Sequence, residues 1–312
     1  MALKVAIQMD HISCIDIEGD STFILALEAQ KRGFELFHYQ PDNLILQNNH
    51  LFAWGEPLKV NLDKKHYFNL GCAELLDLSE MDIVLMRQDP PFDMAYITAT
   101  HLLEKLNGKC LVVNNPKEVR NAPEKLFVTN FPEFTPPTII TSNTDQIRNF
   151  QAKHIDIILK PLFGNGGAGV IHIMPGDENL MALLEIYSQN AREPVIVQKY
   201  LPEVRKGDKR IILIDGQVAG ATNRIPQKGE ARSNMHVGGK AAKSTLTNRD
   251  IQICDALSPE LKKRGLIFTG IDVIGGYLTE INVTSPTGLQ EVNRFDNTSL
   301  EVKIWDAIVS HI

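Results

Sequence analysis

The chain has 312 residues, 43% of them hydrophobic and 22% charged, and a net charge of −6. That is ordinary globular usage with length enough for a large core, so disorder and fibrous structure are excluded. No long Lys/Arg block is present, which removes nucleic acid as the main partner.

The opening "MALKVAIQMD" turns polar too soon for a signal peptide. No stretch approaches the roughly 20 apolar residues of a membrane span. The cysteines (Cys14, Cys72, Cys110, Cys254) are scattered and lack Cys-x-x-Cys spacing, against a disulfide framework or a structural zinc site. A cytoplasmic protein with no membrane partner is expected.

In chain order, "LKVAIQM" reads as a strand and "DSTFILALEAQKRG" as a helix, with Asp20 or Ser21 as N-cap and Gly33 as stop. Asp16, Glu18 and Asp20 read as a solvated loop. "FELFHY" is a second strand, and "NLILQNNHLFAWGEPLKV" a hairpin turning at Asn48-Asn49. Strand "MDIVLMR", helix "MAYITATHLLEKLNG" and strand "KCLVVNN" follow. This alternation predicts an α/β (α+β) chain whose N-terminal domain, 1–122, is Rossmann-like with a mainly parallel sheet.

A smaller unit over 123–200 holds strand "IDIILK", a glycine-rich loop, strand "VIHIM", helix "ENLMALLEIYSQN" and strand "PVIVQKY". A third, 201–312, begins with the hairpin "KRIILIDGQVAGATNRI" around Asp215-Gly216. A polar loop, a helix over 247–264, the hairpin "LIFTGIDVIGGYLTEINV" and a C-terminal helix complete it.

In "KPLFGNGGAGV", Lys160 ends a strand and Gly164, Gly166, Gly167 and Gly169 follow, so backbone amides and a point charge can meet a phosphate. The spacing is neither Walker nor Rossmann, because a strand rather than a helix comes next. A plain flexible loop fits equally well. Strand Val195 to Tyr200 exits at Leu201-Pro202, where an adenine edge could pair, and Asp208 and Arg210 open the next unit.

In "LTEINVTSPTG", Glu280 and Asn282 share one strand face. A two-residue turn at Gly275-Gly276 would pair Asp272 with Thr279, on the opposite face. A three-residue loop would pair it with Glu280. Facing carboxylates call for a cation, and Asp, Glu and Asn oxygens suit Mg²⁺ carried with nucleotide phosphates. A merely solvated face is the alternative.

The succession "MRQDPPFD", "EKLF", "IILKPL" with its glycine loop, "QKYLPEVRKGDKRI", "RIPQKGEARSN", "GIDVIG" and "LTEINVTSPTG" resembles the bacterial glutathione synthetases of the ATP-grasp superfamily, along the whole chain. The resemblance implies that an ATP-grasp fold of two subdomains follows the N-terminal domain. It implies ligation of γ-glutamylcysteine and glycine to glutathione, with ATP forming an acylphosphate and leaving as ADP and phosphate.

By the same resemblance, Lys125 and Lys160 touch ATP phosphates, and Gly164, Asn165, Gly166, Gly167, Ala168 and Gly169 cover them. Gln198, Lys199, Tyr200 and Leu201 hold adenine, and Asp208 lines the nucleotide cleft. Asp272, Glu280 and Asn282 ligate magnesium, with manganese as a substitute, and Arg210 steadies the acylphosphate as the catalytic residue. Arg224, Arg232, Asn234, Gly239, Ser285, Pro286 and Thr287 contact substrate, with Arg87 and Asp89 contributing from the N-terminal domain.

Segment 226–240 resembles a second mobile loop, and the relatives imply a homotetramer. The chain departs from many relatives at Phe163 and Asn165 in the glycine loop, and at Gln290, where relatives carry an arginine whose carboxylate contact would be lost. A ligase for another amino acid or acyl acceptor, and a non-catalytic ATP-binding protein, are the other readings.

Overall fold

The computed structural model describes residues 2–190, 192–230, 232–234 and 238–312. β1 (Lys4–Gln8) is buried from Val5 onward, as an apolar run covered on both faces should be. Asp20 caps α1 (Ser21–Lys31) by accepting the Phe23 amide at 2.6 Å, and Gly33 at φ 80° ends the turn after it. Asp20 is therefore a cap rather than part of a solvated loop.

β2 (Glu35–Tyr39) pairs parallel to β1. β3 (Leu44–Gln47) and β4 (His50–Val60) form the expected hairpin, with Asn48 and Asn49 at φ 50° and 64°. Two short strands not anticipated from sequence, β5 (Phe68–Leu70) and β6 (Glu74–Asp77), also pair with β4. β7 (Ile83–Met86) lies on the other side of β1, followed by α2 (Met94–Leu103), β8 (Leu111–Val113) and α3 (Pro116–Asn121). The order β3-β4-β2-β1-β7-β8 has a parallel centre and an antiparallel flank.

α4 (Glu124–Phe127) precedes an antiparallel sheet of order β11-β10-β12-β9. Its strands are β9 (Thr138–Thr141), β10 (Ile157–Pro161), β11 (Ile171–Ile173) and β12 (Val195–Lys199). α5 (Thr144–His154) and α6 (Leu180–Asn190) accompany it. Sequence reading passed over β9, which is short, and α5, a polar helix burying only Ile147.

The last sheet runs β15-β14-β13-β16-β17. It contains β13 (Asp208–Ile214), β14 (Gln217–Ile225), β15 (Lys240–Lys243), β16 (Phe268–Ile274) and β17 (Tyr277–Asn282). α7 (Asn248–Arg264) has a capping box between Thr247 and Asp250 and ends at Gly265 in the left-handed region. The C-terminal helix is two, α8 (Leu289–Asp296) and α9 (Leu300–Val309), separated at Asn297 with φ 50°.

One apolar core joins α1 (Phe23, Leu25) to α9 (Ile304, Trp305), and Trp305 Nε1 donates to the Leu25 carbonyl at 2.8 Å. Asn114, after β8, bonds both Phe268 and Val283 with its amide. The N-terminal sheet is thereby fixed to the face of the last sheet, and a cleft opens against the small sheet.

Candidate active site

The polar end of the last sheet is built by strand register. Arg210 stands directly opposite Asp272, Asp208 opposite Arg224, and Asp272 opposite Glu280. The Asp272–Glu280 pairing arises in a way neither sequence alternative anticipated. Gly275-Gly276 is a two-residue turn with both φ positive, pairing Ile274 with Tyr277 and Val273 with Leu278. Thr279 is then an extra residue, and this bulge shifts the ladder so that Glu280 faces Asp272. Thr279 Oγ1 donates to the Asp272 carbonyl at 3.1 Å, fixing the bulge.

Arg210 grips Asp272 through Nε at 2.5 Å and Nη2 at 3.0 Å. Arg224 Nη2 lies 2.5 Å from Asp208 and 2.8 Å from Asp272, and Ser233 Oγ donates to Asp208 at 2.7 Å. Burial alone would raise the Asp272 carboxyl, but the two guanidiniums hold it well below the usual carboxylate range. Asp208, with less compensation, is pushed upward by burial, with Asp272 and Glu280 adding to the rise.

Lys125 Nζ lies 3.6 Å from Glu280 and also donates to the Gly164 carbonyl. Lys160 donates to Gln198 Oε1 at 2.8 Å, and burial lowers its ammonium pKa. The walls enclose a cleft of about 770 Å³ between the small and large sheets. Lys125, Lys160, Gly164, Gly167, Ala168, Gln198, Lys199, Tyr200, Leu201 and Asp208 line it, as do Arg232, Asn234, Asp272 and Glu280.

Lining this space does not leave every anticipated group unengaged. Tyr200 is buried, its ring stacked on His172 at 4.0 Å, and the Lys199 and Tyr200 amides already serve the Pro137 and Asp156 carbonyls. Asn165 lines a neighbouring cleft of about 290 Å³, shared with Phe92, Glu124 and Thr284. Ser285, Pro286 and Thr287 lie between two arginines: Arg87 Nη2 donates to the Pro286 carbonyl at 3.0 Å and Arg210 Nη1 to that of Thr287 at 3.3 Å.

Gly166 and Gly169 take positive φ, and Gly169 accepts from the Tyr187 hydroxyl. Gly167, at φ 80°, meets the second loop so closely that a Cβ would lie 2.6 Å from Asn234 Oδ1. Arg232 is held by both Glu230 oxygens, at 3.0 and 2.7 Å. Gly239 donates its amide to the Asn234 carbonyl at 3.1 Å. Within segment 226–240, Ala231 and Met235 to Val237 lie outside the described residues.

Sequence reasoning missed Glu124, although "EKLF" had marked its neighbour Lys125. Glu124 accepts from Thr284 Oγ1 at 2.8 Å, and its carboxyl is raised by burial and by Glu280. The orientation satisfying both ends of the Asn282 amide has Nδ2 donating to Glu124 at 3.2 Å and Oδ1 accepting from Arg210 at 3.3 Å. Gln290 donates to the Ile17 and Asp20 carbonyls at 2.9 and 2.7 Å. Its neutral amide ties α8 to the loop before α1.

Among the described residues no group of three or more His, Cys, Asp or Glu side chains is placed to hold a metal ion. Asp272, Glu280 and Asn282 nevertheless bring two carboxylates and a carboxamide to one face. This oxygen set fits a hard divalent cation. Among the described residues no helix is long and apolar enough to cross a membrane.

Residues 3–120 match the family described as prokaryotic glutathione synthetase, N-terminal domain, and residues 124–297 its ATP-grasp domain. The glutathione synthetase of Brucella melitensis is 57% identical over 308 residues, covering 99% of both chains. That of Mesorhizobium japonicum is 55% identical over 308 residues, covering 99% of this chain and 98% of its own.

In fold the chain is similar to the D-cycloserine synthetase DcsG, with TM-score 0.67, 14% identity and 99% of both chains covered. It is also similar to the ATP-grasp ligase PsnB complexed with a precursor variant, Mg and ADP, with TM-score 0.63 and 17% identity over 99% of this chain and 98% of that one. Two sheets closing on one charged cleft are thus the ATP-grasp arrangement, and with both matched domains in order the chain belongs to the prokaryotic glutathione synthetase family.

Proposed function

We propose that this protein is an ATP-dependent carboxylate–amine ligase that joins γ-glutamylcysteine to glycine, giving glutathione, ADP and phosphate. The observation that carries the reading is the sheet face on which Arg210, Arg224, Asp272 and Glu280 meet, with Lys125 and Lys160 against it across one cleft. Cations for a polyphosphate and oxygen donors for its metal are there brought within reach of an arginine suited to a developing anion.

In this scheme Lys125 and Lys160 bind the ATP phosphates, and Gly164 to Gly169 close over them. Gln198 to Leu201 take the adenine, and Asp208 borders the nucleotide. The cysteinyl carboxylate of the donor attacks the γ-phosphorus, ADP leaves, and an acylphosphate remains. Arg210 neutralises charge on that group. The glycine amine then attacks its carbonyl carbon, loses a proton, and phosphate departs. Arg224, Arg232, Asn234, Gly239 and Ser285 to Thr287 border the substrates, and closure of the glycine-rich loop excludes water that would hydrolyse the intermediate.

ATP-grasp enzymes use ATP with a divalent metal; Asp272, Glu280 and Asn282 would hold Mg²⁺, which when bound would supply charge neutralisation at the phosphates. The units of this assembly are 1–122, 123–200 and 201–312, and the protein works in the cytoplasm as a homotetramer, which sedimentation would check. The deciding experiment measures ADP release with Mg-ATP and γ-glutamylcysteine, with and without glycine. Glycine-dependent release matched one-to-one by glutathione is expected. ATP binding without turnover, or turnover only with another amino acid, would overturn the reading.

A further inference from the structure

The turn Pro202–Lys206, between β12 and β13, carries an arginine that the scheme above leaves unused. Arg205 is exposed, so burial does not dictate its position. Its guanidinium nevertheless bonds two separate parts of the cleft. Nε donates to the Tyr200 hydroxyl at 2.9 Å, and Nη1 to the Glu230 carbonyl at 2.7 Å. A planar fork with fixed N–H directions can hold two such acceptors at a set separation, which a single flexible ammonium cannot.

The first partner is a rigid anchor. Tyr200 is 8% exposed, and its ring stacks on His172 with 21° between planes. Asp156 secures the pair twice, its Oδ1 meeting His172 Nε2 at 2.5 Å and its carbonyl accepting the Tyr200 amide at 2.9 Å. The tyrosine hydroxyl is therefore fixed with or without Arg205.

The second partner is a local unit that travels together. The two Glu230 oxygens grip Arg232 fork to fork, and Oε1 also accepts the Arg232 amide at 3.1 Å. Partners two residues apart keep such a pair wherever the chain carries it, so the pair alone does not say where it stands. Arg205 supplies that placement through the Glu230 carbonyl. From there Arg232 Nη1 reaches the Gly167 carbonyl at 3.5 Å, and a Cβ on Gly167 would lie 3.4 Å from Arg232 Cδ. A path of bonded groups thus runs from Tyr200 through Arg205, Glu230 and Arg232 to the glycine-rich loop.

We propose that Arg205 is a positioning residue of the ligase. From the fixed hydroxyl of Tyr200 it sets the Glu230–Arg232 pair against the glycine-rich loop, and so places the Arg232 guanidinium at the substrates. This deepens the function proposed above and rests on it.

The test combines kinetics with cleavage of the full-length protein. At saturating Mg-ATP, Arg205→Ala should lower kcat/KM for γ-glutamylcysteine or glycine roughly 3- to 30-fold, the worth of one or two hydrogen bonds. Affinity for Mg-ADP, measured by calorimetry, should stay within about threefold, because Tyr200 keeps its other supports. Arg205→Ala/Arg232→Ala should be no slower than Arg232→Ala, since both changes break one path. Arg205→Lys should recover part of the loss, and Tyr200→Phe, which keeps the ring and removes the acceptor, should show part of it. In the ligand-free protein, trypsin should cut after Lys228 and Arg232 about 5- to 10-fold faster in Arg205→Ala than in wild type.

Cleavage and kcat/KM unchanged in Arg205→Ala, a double variant that multiplies the two single losses, or a loss confined to Mg-ADP affinity would each overturn the positioning role. Should Arg205→Ala fail to fold, Arg205→Lys and Tyr200→Phe decide by the same measurements. Absence of glutathione formation by the wild type would remove the function instead, while the cleavage comparison still decides whether Arg205 anchors Glu230 and Arg232.

Discussion

On the small-sheet wall of the cleft, Lys160 has one neutral partner, Gln198 Oε1 at 2.8 Å. On the large-sheet wall, Asp272 is gripped by two guanidiniums at 2.5 to 3.0 Å. Burial depresses the Lys160 ammonium despite the pull of Glu280, while Asp272 is held low by Arg210 and Arg224 against its own burial. One wall keeps a desolvated cation short of counter-charge; the other is a nearly closed ion-pair lattice. The first is poised for an anionic ligand, and the second is a preorganised part of the fold.

The contrast breaks most visibly at Asp272. Asp272→Asn leaves two buried guanidiniums facing a neutral amide, and stability should fall by about 3 to 5 kcal/mol in denaturant unfolding at neutral pH. Because its folded pKa is depressed, this contribution is complete above the ordinary carboxylate value. It is lost as pH falls through the folded one, so the gap between variant and wild type should narrow in acid. A loss under about 1 kcal/mol would show that the lattice adds little to the fold.

Arg210→Ala probes the same wall for chemistry. Glutathione formation should fall about 100- to 1,000-fold while ATP affinity, measured by calorimetry, stays within about threefold. Turnover near wild type would take the acylphosphate role away from Arg210.

Lys160→Met should act with the opposite sign on stability. A folded ammonium whose pKa is lowered costs stability below its unfolded value, and the cost disappears as pH rises toward that value. The ligand-free variant should therefore be more stable than wild type by about 1 kcal/mol near neutral pH, with the advantage shrinking in base. The ATP-induced stabilisation, about 2.7 kcal/mol for wild type at a hundredfold excess over Kd, should be largely lost. A destabilised apo variant would mean that Lys160 is as well paired as Asp272.

Much of this contrast could be read from sequence at the level of residue type, because strands, hairpins and lysines carry local signals. Asn48-Asn49 and Asp215-Gly216 mark their turns by side chains that tolerate positive φ, and all four residues adopt it. The Thr279 bulge could not be read, because it is decided by which residues the ladder can pair across strands. Without it, Asp272 would face away from Glu280.

Glu124 was invisible for a related reason: its partners Asn282 and Thr284 are about half the chain away. α5 escaped because its sequence, TDQIRNFQAKH, has one buried apolar position and no stripe to detect. Gln290 looked like a lost charge, yet its amide meets two carbonyls that only the docking of α8 on the N-terminal loop brings near.

The smallest effect should come where the glycine-rich loop touches the N-terminal domain. Phe163, opening the glycine-rich loop, stacks on Phe92 at 6.1 Å between centroids with 29° between planes, and Phe92 in turn packs against Tyr96. Such a pair is worth about 0.5 to 1.5 kcal/mol beyond its buried area, so Phe163→Ala should reduce the closed loop's population roughly 2- to 10-fold. Stability should hardly change, because Phe163 is 36% exposed. What should change is coupling: a loop that opens early admits water to the acylphosphate, and ADP should then exceed glutathione. Phe92→Ala should give the same excess, and the double variant no more than either single, since one contact is lost in each case. A one-to-one ratio in both single variants would mean that the loop is retained by Lys125 and Tyr187 alone, and that the two walls need no help from the N-terminal domain to stay closed.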